Sequence, residues 1–272
     1  MKEGEIEDSN GLVSVIVPSR NSAATLGKCL QSLKQQTYPN MEVIVVDNNS
    51  GDATRDIAKE FGVRLIVGGH ERSEQTNIGA RSAAGEFLYR TDADFVFDSS
   101  LIARSVGLAR QGFDAIIVHG TSDPSVSRWA RVRKAERDCF EGDWAHTAAS
   151  FFRKSAFDSV GGFNERLNAF EDYDLNNRLL RAGFKIGRID AKAVHLGEPK
   201  SLAEVVPKYI YYGNRRNVVE FASMNPGKGL WQISPFRIVY LKNMRKFGLD
   251  FFLFLVYYYV KYASALIGFF SS

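Results

Sequence analysis

Two aspartates one residue apart, Asp92 and Asp94, are the residues whose type and spacing first suggest chemistry. They follow an apolar run, Phe87 to Tyr89, that fits a buried strand beginning after Gly85. Carboxylates at the carboxyl end of a strand stand where open α/β sheets bind ligands. Oxygen ligands of this kind suit Mg²⁺ or Mn²⁺, which bind through one or two carboxylates together with substrate phosphates. Because Asp-x-Asp is also common by chance, a polar turn is an equally good interpretation of the triplet alone.

The segments before this triplet alternate between strand and helix patterns. Apolar runs predict strands at 13–17, 43–46 and 63–67, and helical spacing predicts helices at 24–36, 53–61 and 76–84. The first strand is expected to end at Pro18, and residues 68–75 to form a polar loop. This order is typical of a parallel sheet with helices on both faces. The loops after Val17 and Val46 therefore fall at the same edge as the two aspartates.

A dinucleotide-binding domain is the obvious competitor for such a sheet. It needs Gly-x-Gly-x-x-Gly after the first strand, where this chain reads Pro-Ser-Arg-Asn-Ser-Ala at 18–23. A P-loop is missing from the sequence as well. A nucleotide must therefore be held by polar side chains and a metal, not by a glycine-rich turn.

Composition bounds the class of protein. The chain has 272 residues, 45% hydrophobic and 24% charged, which suits one large α/β domain or one domain with an appendage. A net charge of +4 is too small to indicate nucleic acid, and we expect no such partner. Cys29 and Cys139 lack metal spacing and are expected to be buried free thiols. Residues 1–10 are polar and acidic, unlike a signal peptide, and residues 1–12 are expected to be a flexible tail.

Several motifs, in order, resemble glycosyltransferase family 2, the inverting nucleotide-sugar transferases with the GT-A fold. They are Val-Ile-Val-Pro-Ser-Arg-Asn at 15–21, Val-Val-Asp-Asn-Asn-Ser-Gly-Asp-Ala-Thr at 45–54, Asn-Ile-Gly-Ala-Arg at 77–81, Asp-Ala-Asp at 92–94, Gly-Gly-Phe-Asn-Glu at 161–165 and Glu-Asp-Tyr-Asp-Leu at 171–175. The resemblance covers roughly residues 13–196. Its order and spacing are specific to fold and reaction class, and not to the sugar or the acceptor.

The resemblance implies roles for residues at the nucleotide. Asp47 would hydrogen-bond the base, typically uracil, because a carboxylate accepts from the ring N–H of uracil or guanine. Asn48 stands where relatives often have a second Asp, which leaves the base open. Asp94 would bind the metal, and Asp92 would be a further metal ligand or would contact the ribose or a metal-bound water. The remaining contacts implied are Pro18, Arg20 and Asn21 bordering the nucleotide, and Arg81 near its phosphates.

The reaction itself has two requirements. The leaving diphosphate gains negative charge that a metal or cations must stabilise, and an acceptor hydroxyl must lose its proton to a general base. The resemblance implies Asp172 as this base, with Glu171 orienting it or binding the acceptor. Acids at these positions would also suit the first turn of a helix expected at 173–182. Both interpretations can hold together, although a helix N-terminus would lower the pKa of a base.

Each of the other candidate residues has a structural interpretation beside the functional one. His195 resembles a metal ligand or diphosphate contact, or is a partly buried structural histidine. His146 and Trp144 could face the acceptor, or pack in the core. The basic stretch 127–141 is either a solvated helix face or a flank for a phosphorylated or membrane-borne acceptor.

The C-terminal 199–272 is rich in basic and aromatic residues and ends in an apolar stretch, 251–270. That stretch is just long enough to span a membrane, but a central lysine costs about 2.5–3.5 kcal/mol on insertion scales. Tyr257, Lys261, Ser264 and Gly268 share one helical face. This favours an amphipathic helix in a membrane interface, preceded by basic residues that meet anionic lipid. A membrane span and a contact in a homo-oligomer remain alternatives.

The sequence therefore predicts an α/β protein of GT-A type, with a mostly parallel sheet, helices on both faces and a helical, membrane-associating C-terminal segment. We expect a catalytic domain at 13–198, with a nucleotide half (13–95) and an acceptor half (96–198). The expected function is hexosyl transfer, dependent on Mn²⁺ or Mg²⁺, from a UDP-sugar, or a GDP-sugar, to polyprenyl phosphate or a lipid-linked glycan. The site would lie at the cytoplasmic face of a membrane. A nucleotidyltransferase and a non-catalytic nucleotide-sugar binder or scaffold are the alternatives.

Overall fold

The computed structural model describes residues 11–144, 146–234 and 238–272, so most of the predicted flexible tail lies outside it. The strands are β1 (Val13–Ser19), β2 (Met41–Asp47), β3 (Arg64–Val67), β4 (Phe87–Arg90), β5 (Phe95–Phe97), β6 (Ala115–Ser122), β7 (Phe151–Arg153) and β8 (Ile186–His195). The helices are α1 (Ala23–Lys34), α2 (Thr54–Glu60), α3 (Arg72–Ser82), α4 (Leu101–Arg110), α5 (Arg128–Cys139), α6 (Lys154–Ser159), α7 (Glu171–Arg181), α8 (Val205–Tyr212), α9 (Arg215–Met224), α10 (Gly229–Ile233), α11 (Ile238–Lys242) and α12 (Phe251–Phe270). A 3₁₀ helix, Met244–Asp250, precedes α12.

The described strands form one sheet in the order β3-β2-β1-β4-β7-β6-β8-β5. The β3-β2-β1-β4 half is parallel throughout, as predicted. The other half is mixed, because β7 runs antiparallel to β4 and β6, and β5 antiparallel to β8. The result is a mixed α/β sheet, as expected from the resemblance to the GT-A fold, and its carboxyl-end edge carries the predicted site.

Alternation along β1 explains how the sheet is covered on both faces. Val15 and Val17 pack with Leu26 of α1 in one apolar cluster, whereas Ile16 packs with Ala80 of α3 in a second. All of these side chains are at most 2% exposed. Successive residues of a strand point to opposite faces, so a continuous apolar run requires helices on both.

The prediction that β1 ends at Pro18 is wrong, because the strand continues to Ser19. Its pairing with β4 stops at Ile16, while its pairing with β2 runs on to Ser19. The Thr91 N–H donates to the carbonyl of Ile16, and the Asn48 N–H to that of Ser19. The nitrogen of Pro18 therefore faces β4, beyond the point where the pairing of β1 with β4 ends. The N–H that proline lacks would have no partner there, so no hydrogen bond of the sheet is lost.

Helix α3 begins at Arg72, four residues earlier than predicted, and takes in part of the expected loop. Its buried residues are mostly polar, among them Ser73, Gln75 and Asn77, so no apolar period marked its first turn. Glu74 in that turn accepts from the backbone N–H of His70 at 2.7 Å. The earlier start brings Arg72 to the carboxyl-end edge of the sheet.

The C-terminal helix α12 packs against α5 and α8. Phe254 and Tyr257 of α12 share an apolar cluster with Val132 of α5 and Val205 of α8. A Cβ on Gly268 would lie 2.1 Å from the carbonyl oxygen of Ile210, so the backbones of α12 and α8 almost touch. The expected membrane-associating segment is thus also a packed part of the fold.

Candidate active site

Asp92 lies in the turn after β4 and is held by two arginines. Its Oδ1 accepts from Nη2 of Arg90 at 2.8 Å, and its Oδ2 lies 3.8 Å from Nη1 of Arg72. Burial raises the pKa of this carboxyl, but the two arginines outweigh it and leave the pKa below its ordinary value. The Asp92 carboxylate is therefore ionised and is paired with Arg90 and Arg72.

Asp94 is paired instead with His195, which ends β8. The antiparallel register sets Phe95 opposite His195, and this brings Oδ2 of Asp94 to 3.0 Å from Nε2 of His195. The other ring nitrogen, Nδ1, lies 2.7 Å from Oε1 of Glu198. Burial lowers the pKa of His195, yet the neighbouring carboxylates of Asp94 and Glu198 leave it raised overall. Two residues far apart in sequence thus form one polar pair at the sheet edge.

This pair fits a divalent metal ion. Among the described residues, Oδ1 of Asp94 is buried without a hydrogen-bond partner. A Cβ on Gly197 would lie 2.7 Å from Oδ2 of Asp94, so glycine leaves room beside that oxygen. Carboxylate and imidazole suit Mn²⁺, and the ion's remaining positions normally go to phosphate oxygens and water.

The third predicted ligand, Asp92, is directed elsewhere. Within residues 11–144, 146–234 and 238–272, no three His, Cys, Asp or Glu side chains form a metal-binding group. The arrangement thus offers two protein ligands, Asp94 and His195, and leaves Asp92 with Arg90 and Arg72.

The acid pair Glu171 and Asp172 begins α7. The residue before it, Phe170, has φ 67°, a left-handed conformation that is unusual for a bulky side chain and costs on the order of 1–3 kcal/mol. Such strain is concentrated at functional sites. Asp172 is partly exposed, and its Oδ1 accepts from the Tyr173 N–H at 2.8 Å. Glu171 is buried, and burial raises its pKa even though Arg72 opposes the shift.

Arg72 joins these groups and was not predicted from the sequence. Its Nη2 lies 3.2 Å from Oε1 of Glu171, while its Nη1 faces Asp92. Glu171 and then Asp92 raise the pKa of Arg72 well above its ordinary value, and Asp172 adds to this. The Tyr212 ring of α8 lies 6.0 Å away from the guanidinium. Arg72 could have been identified from the sequence only if α3 had been predicted to begin at residue 72.

Arg81, the predicted phosphate contact, is not brought to this site. It lies in the last turn of α3, about 13 Å along the axis from Arg72 at 1.5 Å per residue. Its side chain is 66% exposed and lies 4.0 Å from Glu165. Together with Asp158 and Arg178 it lines a separate cleft of about 960 Å³. The arginine beside Asp92 is Arg72, on the same helix.

The loops after β1 and β2 are bonded to each other. Asn21, with φ 49°, donates its N–H to Ser50 Oγ at 2.8 Å and accepts from the Gly51 N–H at 2.9 Å. Asp47 is fully buried and accepts from both the N–H and the hydroxyl of Ser50. Its carboxylate therefore organises the loop, and its contact with a base stays a prediction. Arg20 and Asn21 are exposed, while Pro18 lies within β1.

The loop that carries Trp144 and His146 lies beside the first turn of α7. The Tyr173 hydroxyl donates to the carbonyl of His146 at 3.1 Å, and the His146 ring lies 4.7 Å from that of Trp231. Trp144 is 56% exposed, so packing in the core is wrong for it, and its ring lies 5.0 Å from the guanidinium of Arg188. The Tyr173 hydroxyl therefore ties this loop to the first turn of α7.

The family model described as glycosyl transferase family 2 matches residues 14–168, which include both loops, α3 and the Asp92–Asp94 turn. A PGL/p-HBAD biosynthesis glycosyltransferase of Mycobacterium tuberculosis is 31% identical over 179 residues, covering 61% of this chain and 69% of the relative. The succinoglycan biosynthesis protein ExoA of Rhizobium meliloti is 24% identical over 260 residues, covering 88% of this chain and 78% of the relative.

Solved structures agree on the fold. The mannosyltransferase PcManGT of Pyrobaculum calidifontis, in complex with GDP-Man and Mn²⁺, matches with a TM-score of 0.61 and 20% identity, covering 95% of this chain and 74% of that one. TarS of S. aureus (residues 1–349), in complex with UDP-GlcNAc, matches with a TM-score of 0.56 and 16% identity, covering 94% and 89%. The sequence motifs, the GT-A sheet and the matched family model agree, and the chain belongs to glycosyl transferase family 2.

Proposed function

We propose that this glycosyltransferase is an inverting, metal-dependent enzyme that moves a hexose from a nucleotide-diphosphate sugar to an acceptor held at a membrane surface. The observation that carries the proposal is the pairing of Asp94 with His195 at the same sheet edge as Asp172. One group of residues suits a metal and a leaving diphosphate, and the other suits an acceptor.

On the donor side, Asp94 and His195 would hold Mn²⁺ or Mg²⁺. The ion would supply positive charge to the leaving diphosphate. Arg72 adds a fixed cation beside Asp92, and its fork of donors suits phosphate oxygens. A UDP-sugar is favoured and a GDP-sugar is the alternative, since related structures hold UDP-GlcNAc and GDP-Man.

On the acceptor side, Asp172 would be the general base. Its side chain is partly exposed, whereas Glu171 is buried against Arg72 and can only orient its neighbour or bind the acceptor. A base acting on a hydroxyl as it attacks the sugar supports a single displacement, and a single displacement inverts the anomeric centre.

Membrane association is supported by the outward face of α12. Met244–Phe270 is long and apolar enough to cross a membrane by length and composition. The face with Tyr257, Ser264 and Gly268 is buried against the protein, so the opposite face meets the surroundings. That exposed stripe consists of Phe252, Leu255, Tyr259, Leu266 and Phe270.

A helix whose polar side is occupied by protein and whose outer side is apolar suits a lipid surface. Lys242 and Arg245 are exposed at the start of this segment, where they would meet anionic headgroups. The inward position of Lys261 favours a helix that lies on the bilayer over one that spans it. We place this surface on the cytoplasmic side, which is compatible with the two buried free thiols.

Donor turnover tests the metal site. Purified enzyme is incubated with UDP- and GDP-sugars, with Mn²⁺ or with EDTA, and both hydrolysis and transfer to membrane extract are measured. We expect one donor to be turned over only with metal, and Asp94→Asn to abolish this. Asp190→Asn, at an exposed aspartate of β8, is the matched control. Full activity in EDTA, or in Asp94→Asn, would refute the metal-dependent mechanism.

Vesicle flotation tests the membrane surface. We expect the protein to float with vesicles that contain phosphatidylglycerol, and Phe252→Asp/Tyr259→Asp to remain at the bottom of the gradient. Leu230→Asp changes a leucine of α10 that is 66% exposed but lies off the stripe, so it should float like the wild type. Equal flotation of both variants would show that the apolar stripe of α12 is not the surface that contacts lipid.

A further inference from the structure

The single charged residue of α12, Lys261, points into the protein. Its Nζ lies 2.6 Å from Oε1 of Glu136 on α5, and the two side chains are 13% and 1% exposed. The hydroxyl of Tyr240 donates to the same oxygen at 3.0 Å. A charge pair buried this deeply loses much of its Coulomb energy to desolvation, so stability alone is a weak reason for it.

Glu136 begins a series of alternating charges that runs toward the candidate metal site. Its Oε2 accepts from Nη1 of Arg133, and Nε of Arg133 lies 3.8 Å from Oε2 of Glu198. Oε1 of Glu198 lies 2.7 Å from His195, whose other nitrogen faces Asp94 at 3.0 Å. The series connects the C-terminal helix with the residues that would bind the metal.

Glu198 is the central member of this series. It also accepts from the Ser122 hydroxyl at 2.6 Å and lies 3.4 Å from Nη2 of Arg137. A carboxylate fixed by Ser122, Arg133 and Arg137 holds the imidazole with Nε2 toward Asp94, as outer partners of metal-binding histidines do.

We propose that Glu198 and Lys261 are positioning residues of the donor site, and that α12 must be seated on the domain for Asp94 and His195 to bind metal and diphosphate. The proposal rests on the metal-dependent function proposed above. Lys261 acts through Arg133, which lies between the carboxylates of Glu136 and Glu198. Without the lysine, Glu136 draws Arg133 toward itself, and Glu198 loses a cation that holds it in place.

The outer face of α12 connects this series to the membrane. Lipid contact along the apolar stripe stabilises the seated helix, and the seated helix delivers Lys261 to Glu136. The Lys261 ammonium also lies 5.1 Å from the ring of Tyr209, so α8 lies against the same charge. Donor binding and membrane binding are then coupled through one lysine.

The test measures metal and nucleotide binding rather than turnover. Titration calorimetry of the full chain gives the Kd of Mn²⁺ at saturating UDP or GDP for the wild type, Glu198→Gln, Lys261→Met and Lys261→Arg. We expect Glu198→Gln to raise this Kd roughly 10- to 100-fold, as changes in such outer partners do. Lys261→Met should raise it several-fold, and Lys261→Arg should restore it. Lys134→Met removes another lysine–carboxylate pair that involves α5 and is the control.

The outcomes separate this inference from the function on which it rests. Nucleotide binding that ignores Mn²⁺ in the wild type would refute the metal site and the positioning roles together. Mn²⁺-dependent binding that is unchanged in Glu198→Gln and Lys261→Met would refute the positioning roles alone. If Lys261→Met does not fold, amide exchange of the wild type decides. Adding Mn²⁺ and nucleotide should slow exchange across 257–264 of α12, and unchanged exchange would overturn the proposal.

Discussion

Nη2 of Arg72 lies 3.2 Å from Oε1 of Glu171, and this contact joins helices α3 and α7, which are about 100 residues apart in the chain. Arg72 comes from the first turn of α3 and Glu171 from the first turn of α7. The same guanidinium faces Asp92. One side chain therefore links the turn that would hold the donor to the helix that would supply the base.

Removing this arginine should impair catalysis. We expect Arg72→Met to lower kcat/KM by about 10²- to 10³-fold, the usual cost of losing one preorganised charge at a site of developing negative charge. Arg72→Lys should recover part of the loss. Arg81→Met, on the same helix but at its other end, should stay near the wild type in a steady-state assay. Equal losses in Arg72→Met and Arg81→Met would contradict this assignment.

Replacing the proposed base distinguishes two kinds of acceptor. With a glycan hydroxyl, Asp172→Asn should lower kcat by about 10²- to 10⁴-fold and leave the KM of the donor almost unchanged. Glu171→Gln should cost less, because Glu171 is buried against Arg72. A phosphate acceptor is already anionic and needs no base. Asp172→Asn with nearly full activity would therefore indicate a polyprenyl phosphate acceptor and rule out an essential base here.

Low pH should weaken the packing of α12 against the rest of the protein. Burial raises the pKa of Glu136, but Lys261 and Arg133 outweigh burial and lower the pKa below its ordinary value of 4.5. The Tyr240 hydroxyl also donates to this carboxylate, and Tyr209 and Tyr257 lie nearby. The folded state thus binds fewer protons than the unfolded state. The stabilisation is present above about pH 4.5 and is lost as the pH falls below it. Urea unfolding between pH 3 and pH 7 should show a shallower acid loss in Glu136→Gln/Lys261→Met than in the wild type.

The close approach of α12 and α8 predicts a cost for a single methyl group. The Cβ of Gly268→Ala would lie 2.1 Å from the carbonyl oxygen of Ile210, so the helices must move apart. We expect a loss of about 1–3 kcal/mol, measured by thermal unfolding. Gly107→Ala is the control, since Gly107 lies inside α4 with no neighbouring atom within 4 Å among those described. That change should be neutral or stabilising, by up to about 1 kcal/mol.

The sheet and its edge could be predicted because apolar runs fix buried strands directly. Val13–Val17, Val43–Val46 and Phe87–Tyr89 all lie within observed strands, and the loops that follow the first two are hydrogen-bonded to each other. The first turn of α3 could not be predicted in this way, since its buried side is polar. That error hid Arg72, whereas Arg81 had been named because the family resemblance implied it.

The orientation of the C-terminal helix α12 was harder to predict from the sequence. Sequence grouped Tyr257, Lys261 and Ser264 correctly on one side of α12, but a helical period does not say which side meets the protein. The arginines of α5 raised the same difficulty. Arg133 and Arg137 pair with buried carboxylates instead of forming a solvated face or a flank for the acceptor. Buried ion pairs between distant segments leave no local pattern in a sequence.

In the proposed membrane orientation, the position of α8 would limit how far from the lipid the enzyme can act. On one side its Ile210 backbone touches α12, and on the other its Tyr212 ring faces Arg72. Packed helices are separated by about 8–10 Å, so if α12 lies on the bilayer as proposed, the Arg72 side of α8 lies roughly one helix layer above the headgroups. Such an enzyme suits an acceptor whose reactive group stays close to the lipid, and it would stop acting once the growing glycan extends beyond that height.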